Sequence, residues 1–152
     1  MKTILFATMT IFMCTTAVFA GSFTDNGNGT VTDGVTNLMW QQCSDGLSTG
    51  CTGTAATVTW NNAIVYCEGL SLGGFTDWRL PNVKELKSIA DTTKSRPAID
   101  AVYFPNTIAL RYWSSTSYAA DTTNAWFVYF DDGFADGIGK STVFYVRCVR
   151  GQ

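Results

Sequence analysis

Four cysteines limit what this chain can fold into more than any other feature. Cys43, Cys51, Cys67 and Cys148 remain once an N-terminal export signal is removed, and an even number of cysteines in an exported chain is typical of disulfide bonds. Four cysteines can pair in more than one way, but Cys43 and Cys51 flank a short loop rich in Gly, Ser and Thr and are natural local partners. Cys67 would then join Cys148, and this long loop would stabilise the fold by ~4 kcal/mol in the chain-entropy model. A four-cysteine zinc site is the alternative, although the chain has no C-x-x-C pair.

The export signal is predicted in residues 1–20. Lys2 carries the only charge before an uncharged, apolar stretch, and Val18-Phe19-Ala20 fits a signal-peptide cleavage site. Several threonines interrupt the stretch and no basic residue follows it directly, which disfavours a membrane-spanning helix. We therefore expect cleavage after Ala20, one domain over residues 21–152 with no membrane insertion, and a secreted, periplasmic or cell-surface location.

Two features of the composition restrict the function. Without Lys2, nine basic residues face twelve acidic ones, a net charge of −3, which makes nucleic acid a poor partner. The sequence contains no histidine, which excludes Ser-His-Asp and Cys-His nucleophiles, histidine-ligated zinc and the usual general base near neutral pH. We therefore expect a protein that is not an enzyme. A glycosidase that uses paired carboxylates is the catalytic alternative.

The residue pattern predicts an α+β domain. Strands and turns are expected over residues 22–42, with Asn-Gly turns at 26–29, and a helix is expected over residues 59–70. A second helix is expected after Asn82, whose side chain can form a capping box with Glu85. Strands are then predicted at 112–116, 125–130 and 142–149, with a turn at 131–133. This order indicates two helices followed by an antiparallel β-meander.

A series of motifs stands in order along residues 22–151: Asp25-Asn26-Gly27-Asn28-Gly29-Thr30-Val31-Thr32-Asp33, Leu38-Met39-Trp40-Gln41, Asp77-Trp78-Arg79-Leu80-Pro81-Asn82-Val83-Lys84-Glu85-Leu86, Tyr112-Trp113-Ser114-Ser115-Thr116 and Val146-Arg147-Cys148-Val149-Arg150-Gly151. Together they resemble the DUF1566 family, which is also named for the C-terminal domain of the Legionella collagen-like adhesin. More distantly, the Arg-Leu-Pro and Arg-Cys-Val segments resemble the sulfatase-modifying branch of C-type lectin-like folds.

The resemblance implies a C-type lectin-like domain that attaches to glycans or to surface or matrix proteins. The chemistry of the sulfatase-modifying branch needs free cysteines, whereas all four cysteines here are expected in disulfides. The sequence has no Gly-x-y repeat, so trimerisation through a collagen stalk is not implied.

In lectin-like folds the ligand face generally lies among the late strands, here residues 112–140. Aromatic rings mixed with hydrogen-bonding groups suit a binding site. Trp126 also has a competing role in the core, because residues 125–130 are nearly continuously apolar and alternate residues must be buried. The candidate ligand-binding residues are Tyr118, Asp121, Asn124, Trp126, Asp131, Asp132 and Phe134.

Asp131, Asp132 and Asp136 are candidate ligands for a calcium ion, which prefers carboxylate oxygens. A hairpin turn rich in Asp and Gly explains the same residues, and we favour the turn. No other cofactor is expected.

We therefore expect an exported, non-catalytic, adhesin-like domain that recognises glycan or protein at the cell surface. A structural or assembly subunit of a surface or pilus-like structure is the alternative. That role predicts a large exposed apolar patch or an unpaired strand edge.

Overall fold

Two antiparallel sheets and two helices make up the computed structural model, which describes residues 23–151. The α+β class predicted from the sequence is confirmed. The expected signal peptide, residues 1–20, lies outside the described residues. None of the helices in the described part of the chain is long and apolar enough to span a membrane.

The first sheet joins the two ends of the described chain. Its strands are β1 (Phe23–Asp25), β2 (Thr30–Asp33), β3 (Met39–Gln41) and β7 (Val149–Arg150), in the order β1-β2-β3-β7. The turn between β1 and β2 contains the predicted Asn-Gly pairs, and Gly27 and Gly29 have φ angles of 70° and 81°. Glycine adopts these positive φ angles without steric strain, which allows the tight hairpin.

The second sheet is the predicted meander, and its strands follow one another along the chain. It contains β4 (Arg111–Ser117), β5 (Asn124–Tyr129) and β6 (Phe134–Gly139), in the order β4-β5-β6. β6 was not predicted, because Phe-Ala-Asp-Gly-Ile-Gly contains few residues that favour strands on their own. This strand forms because the turn at 131–133 brings it alongside β5, with which it pairs along its whole length.

Along the sequence, the two helices lie between β3 of the first sheet and the first strand of the second sheet. α1 (Trp60–Glu68) and α2 (Val83–Ser88) fall where the periodicity predicts them. The capping box is confirmed: the Asn82 side chain accepts hydrogen bonds from the backbone of Lys84 and Glu85, and Glu85 accepts one from the Asn82 backbone N–H.

The predicted strand at 142–149 is wrong, since only Val149–Arg150 belongs to a sheet. The preceding residues form single bridges instead, from Phe144 to Val58 and from Tyr145 to Tyr112. The reason is geometric: this segment crosses from the edge of β4 to the edge of β3, so no single strand runs beside all of it.

The second sheet is covered on both faces. Tyr112 and Val128 face one buried cluster, which includes Leu86 of α2, whereas Trp113 and Phe127 face another. Trp113 is completely buried. Arg111 at the start of β4 and Phe134 at the start of β6 lie beyond these clusters and are exposed.

Both disulfides have the predicted pairing. Cys43 is bonded to Cys51 across a separation of 8 residues, and Cys67 of α1 is bonded to Cys148 across 81 residues. The second bond therefore ties the first helix to the segment that leads into β7.

Removing the two disulfides separately should have unequal effects. In the chain-entropy model the Cys67–Cys148 bond contributes about 4–5 kcal/mol and the Cys43–Cys51 bond about 2–3 kcal/mol, because the first closes a far longer loop. We expect the Cys67→Ser/Cys148→Ser variant to lose more free energy of unfolding in urea than the Cys43→Ser/Cys51→Ser variant. Equal losses would contradict the assigned role of the long loop.

An ion pair links α2 to the C-terminal segment. Arg79 binds Glu85 through two hydrogen bonds of 2.8 Å and also donates to the Gly151 carbonyl oxygen at 3.1 Å. Burial alone would raise the pKa of Glu85, but the hydrogen bonds from Arg79 and from the Asn82 backbone lower it below its ordinary value. The Arg-Leu-Pro-Asn motif therefore has a structural purpose: it places Arg79 where Glu85 both caps the helix and pairs with it.

Replacing Glu85 should make stability less dependent on pH. A carboxylate whose pKa is lowered by folding stabilises the protein above its unfolded pKa of about 4.3, and this stabilisation is lost as the pH falls through the lower folded value. We expect Glu85→Gln to unfold at lower urea concentration than the parent at pH 7, and the difference to shrink at pH 3. Glu68→Gln, on the exposed surface of α1, is the matched control. A difference of the same size at both pH values would argue against the ion pair.

Candidate functional site

An aromatic pair lies at the end of the second sheet where β4 passes into β5. The ring centroids of Tyr118 and Trp126 are 5.1 Å apart and their planes are tilted by 46°. Both side chains are half-buried, so part of each ring faces solvent. Tyrosine and tryptophan at such positions combine a flat apolar surface with a hydrogen-bonding group, which suits ligand contact.

Gly137 on the neighbouring strand makes room for this pair. It lies opposite Trp126 in the β5–β6 register, and a Cβ atom there would lie 2.8 Å from Cγ of Tyr118. The Tyr118 ring therefore rests directly on the backbone of β6. A larger residue at this position would displace the ring, so Gly137 determines how closely the Tyr118 ring approaches the backbone of β6.

The loop between β4 and β5 holds Tyr118 in place. The Tyr118 backbone N–H donates to the Asn124 carbonyl at 2.9 Å, and Asp121 accepts hydrogen bonds from the backbone and hydroxyl of Thr123 at 3.0 and 2.6 Å. These hydrogen bonds lower the pKa of Asp121. The Asn124 amide also donates to Asp121 at 3.3 Å. Asp121 therefore shapes the loop, while Asn124 lies beside the aromatic pair on the same face of β5.

The structure separates the predicted site residues into groups. Tyr118, Asp121, Asn124 and Trp126 lie together. Asp131 and Asp132 lie at the opposite end of β5, ~17 Å away along the strand at the usual rise per residue. There Asp131 pairs with Arg96 at 3.1 Å, and Asp132 accepts a hydrogen bond from the backbone of the residue two positions later.

Phe134 lies on the other face of the sheet. It pairs with Tyr129 in the β5–β6 register, and paired residues point to the same face. Tyr129 is three positions from Trp126, and side chains an odd number of positions apart in a strand point to opposite faces. Phe134 and Trp126 therefore face opposite ways. The sequence alone did not separate them, because the start of β6 was not recognised.

The candidate calcium ligands do not form a group. Asp131 and Asp132 have the partners just named, and Asp136 accepts a hydrogen bond from the Gly137 N–H at 2.7 Å. Within residues 23–151, no three side chains of Cys, Asp or Glu lie close enough together to hold a metal ion. The hydrogen bond to Asp132 is that of a turn, which favours the turn interpretation of these aspartates.

Arg111, which was not among the residues predicted for the site, lies over three aromatic rings. Its guanidinium carbon lies 5.1 Å from the ring centroid of Tyr129, 5.4 Å from that of Phe127 and 5.8 Å from that of Phe144. The sequence did indicate that Arg111 lies on an aromatic face, since it is two positions from Trp113 and side chains two positions apart in a strand point to the same face. The partner strand had to be aligned before the aromatic surroundings could be recognised.

Adding a single methyl group to Gly137 should disturb the aromatic pair. We expect Gly137→Ala to lose about 1–3 kcal/mol of stability through overpacking and to shift the NMR signal of the Trp126 indole N–H. Gly139→Ala is the matched control on the same strand, because a Cβ there meets only ordinary contacts at 3.7 and 3.9 Å. If both variants behave alike, Gly137 does not support the Tyr118 ring.

Comparison with known proteins identifies the family. The family model described as the Lcl C-terminal domain matches residues 29–150. The matched range runs from the turn before β2 to the last residue of β7, so it includes both helices and all of the second sheet. A search of curated proteins gives no match to the chain. The chain belongs to the Lcl C-terminal domain family.

Proposed function

We propose that this protein is an exported, non-catalytic, adhesin-like domain that binds glycan at the Tyr118–Trp126 pair. The observation that carries the proposal is the half-exposed aromatic surface supported by Gly137. The apolar faces of sugar rings pack against such surfaces, and Asn124 beside them supplies an amide for hydrogen bonds to hydroxyl groups. Membership of a family named for the C-terminal domain of a collagen-like adhesin supports a role in attachment.

The proposal includes a C-type lectin-like fold. Two helices, an antiparallel meander and a disulfide from the first helix to the segment before the last strand support it. It also includes an oxidising location outside the cytoplasm, because disulfides such as Cys43–Cys51 and Cys67–Cys148 are typical of exported proteins.

The cysteine pairing also supports a non-catalytic role. All four cysteines among residues 23–151 are in disulfides, so none is free for the chemistry of the sulfatase-modifying branch. The glycosidase alternative has less support, since Asp121 and Asp132 accept hydrogen bonds in turns and Asp131 forms an ion pair.

An assembly subunit is the second candidate, and one observation favours it: β6 is the outer strand of its sheet. An outer strand offers backbone groups to a strand from another molecule. However, the Gly137 N–H already donates to Asp136 within the chain, which engages one donor of this strand. Glycan binding therefore remains the proposed function.

A glycan array probed with the purified protein, once with calcium and once with EDTA, tests the proposal. We expect binding to one class of sugar in both buffers, and about tenfold weaker binding for Tyr118→Ala, which corresponds to about 1.4 kcal/mol. Phe134→Ala is the control, because it removes an aromatic ring from the opposite face of the sheet. A blank array, or equal binding by Tyr118→Ala, would contradict the proposal; loss of binding in EDTA would show that calcium is required.

A further inference from the structure

We propose that the face of the second sheet opposite Tyr118 carries a separate binding site, at which Arg111 binds the carboxylate of a protein segment that also presents an apolar side chain. Arg111 opens β4 and lies beside Tyr129, which in turn lies beside Phe134 in the register of the three strands. These residues form one row across the sheet. The row faces away from Trp126, so its ligand would not compete for the glycan site.

The guanidinium of Arg111 is exposed yet held in position. It lies over the rings of Tyr129, Phe127 and Phe144, at the distances given above. Stacking on aromatic faces limits the conformations of a long side chain, so less entropy is lost when a ligand binds. The planar group can donate two parallel hydrogen bonds to one carboxylate, which gives the contact its direction.

The other arginines of the described chain already have partners. Arg79, Arg96 and Arg150 each form an ion pair with a carboxylate. Arg147 is completely buried and donates to hydroxyl groups. Within residues 23–151, Arg111 forms no salt bridge, and its guanidinium has no hydrogen-bond partner in the protein. An exposed, ordered cation without an anion is complementary to an acidic ligand.

Apolar side chains surround this cation. Leu110 is 43% exposed and Val143 is 51% exposed, and both line a recess of about 240 Å³ together with Arg111. Phe134, 54% exposed, extends the apolar surface at the other end of the row. The recess is smaller than the roughly 300–1,000 Å³ typical of sites that enclose a whole small molecule, so it suits a single side chain.

These properties favour a protein segment over a sugar. Exposed Leu110 and Val143 offer contact to an aliphatic or aromatic side chain but no hydrogen bonds to the hydroxyl groups of a sugar. A carboxylate and an apolar side chain share one face of an extended segment wherever Asp or Glu stands two positions from Leu, Ile or Phe. A fatty acid shares the chemistry of carboxylate and chain, and the experiment below separates it from a peptide.

Fluorescence anisotropy with two labelled peptides tests the proposal. In one, the repeat Asp-Ser-Leu-Ser runs over twelve residues, so that Asp and Leu share one face of the extended peptide; in the other, Asn replaces every Asp. We expect the purified protein to bind the Asp peptide at least about tenfold more tightly than the Asn peptide, because only the carboxylate pairs with Arg111. Chemical shifts on binding should change at the Arg111 Nε–H and at Val143, and not at Trp126.

Two variants locate the site. Arg111→Gln should weaken Asp-peptide binding about tenfold, whereas Arg96→Gln, which removes the same charge from an exposed arginine elsewhere, should leave it unchanged. If Arg111→Gln does not fold, Arg111→Lys keeps the charge without the planar group and should bind more weakly than the parent. Tyr118→Ala should bind the peptide normally, which separates this site from the glycan site.

Several outcomes would overturn the proposal. These are no binding of the Asp peptide at millimolar concentration, equal binding of both peptides, or full binding by Arg111→Gln. Displacement of the peptide by laurate at lower concentration than by unlabelled peptide would assign the site to fatty acids. Binding of a glucuronate oligosaccharide at Arg111, without peptide binding, would assign it to an acidic sugar.

Discussion

The segment from Phe144 to Arg150 is the constraint on which the rest of the structure depends. Its first residues bond to the edge of β4, where the Trp113 N–H donates to the Tyr145 carbonyl oxygen at 3.0 Å. Its last residues complete the first sheet beside β3, and Val149 also exchanges two backbone hydrogen bonds with Arg79. One extended segment therefore joins both sheets and the entry to α2. The disulfide at Cys148 ties α1 to the same segment.

A buried arginine lies at the centre of this segment. Burial lowers the pKa of Arg147 to about 10, so the guanidinium still carries its charge at neutral pH. It donates to the hydroxyl of Thr107 at 2.9 Å and lies 4.8 Å from the ring centroid of Phe104. Two of its nitrogens have no partner among the described residues, which is an energetic cost. The Arg147 guanidinium also contacts the Ser44 hydroxyl at 3.4 Å. This contact links the loop closed by Cys43–Cys51 to the crossing segment and offsets part of the cost.

Much of the fold could be predicted from local sequence signals. The disulfide pairing, both helices and the capping box at Asn82 depend on neighbouring residues or on elimination, and all are confirmed. β6 and the segment over 142–149 could not be predicted in the same way. β6 is a strand only because β5 lies beside it, and the crossing segment is extended only because two different sheets lie at its ends. Long-range pairing of this kind overrides local preference.

Only the part of the candidate site that is formed by residues close in sequence could be predicted. Tyr118, Asn124 and Trp126 are close in sequence and meet in space. Phe134 is as close to Trp126 in sequence, but the β5–β6 register turns it to the opposite face. The role of Gly137 follows only from the approach of the Tyr118 ring to β6, and the aromatic rings around Arg111 come from two separate segments, β5 and the segment that contains Phe144. Neither feature leaves a pattern in any single stretch of sequence.

The long disulfide also determines when this domain can fold. The disulfide partner of Cys67 lies 81 residues further along the chain, and the edge of β3 that faces away from β2 has no partner strand until β7 has been made. Contacts between residues so far apart form slowly, because the chain must first close a large loop. The Cys43–Cys51 bond can form early, but the first sheet cannot be completed and α1 cannot be anchored before the same late segment is present. Completion of the fold therefore requires that nearly the whole domain has been synthesised.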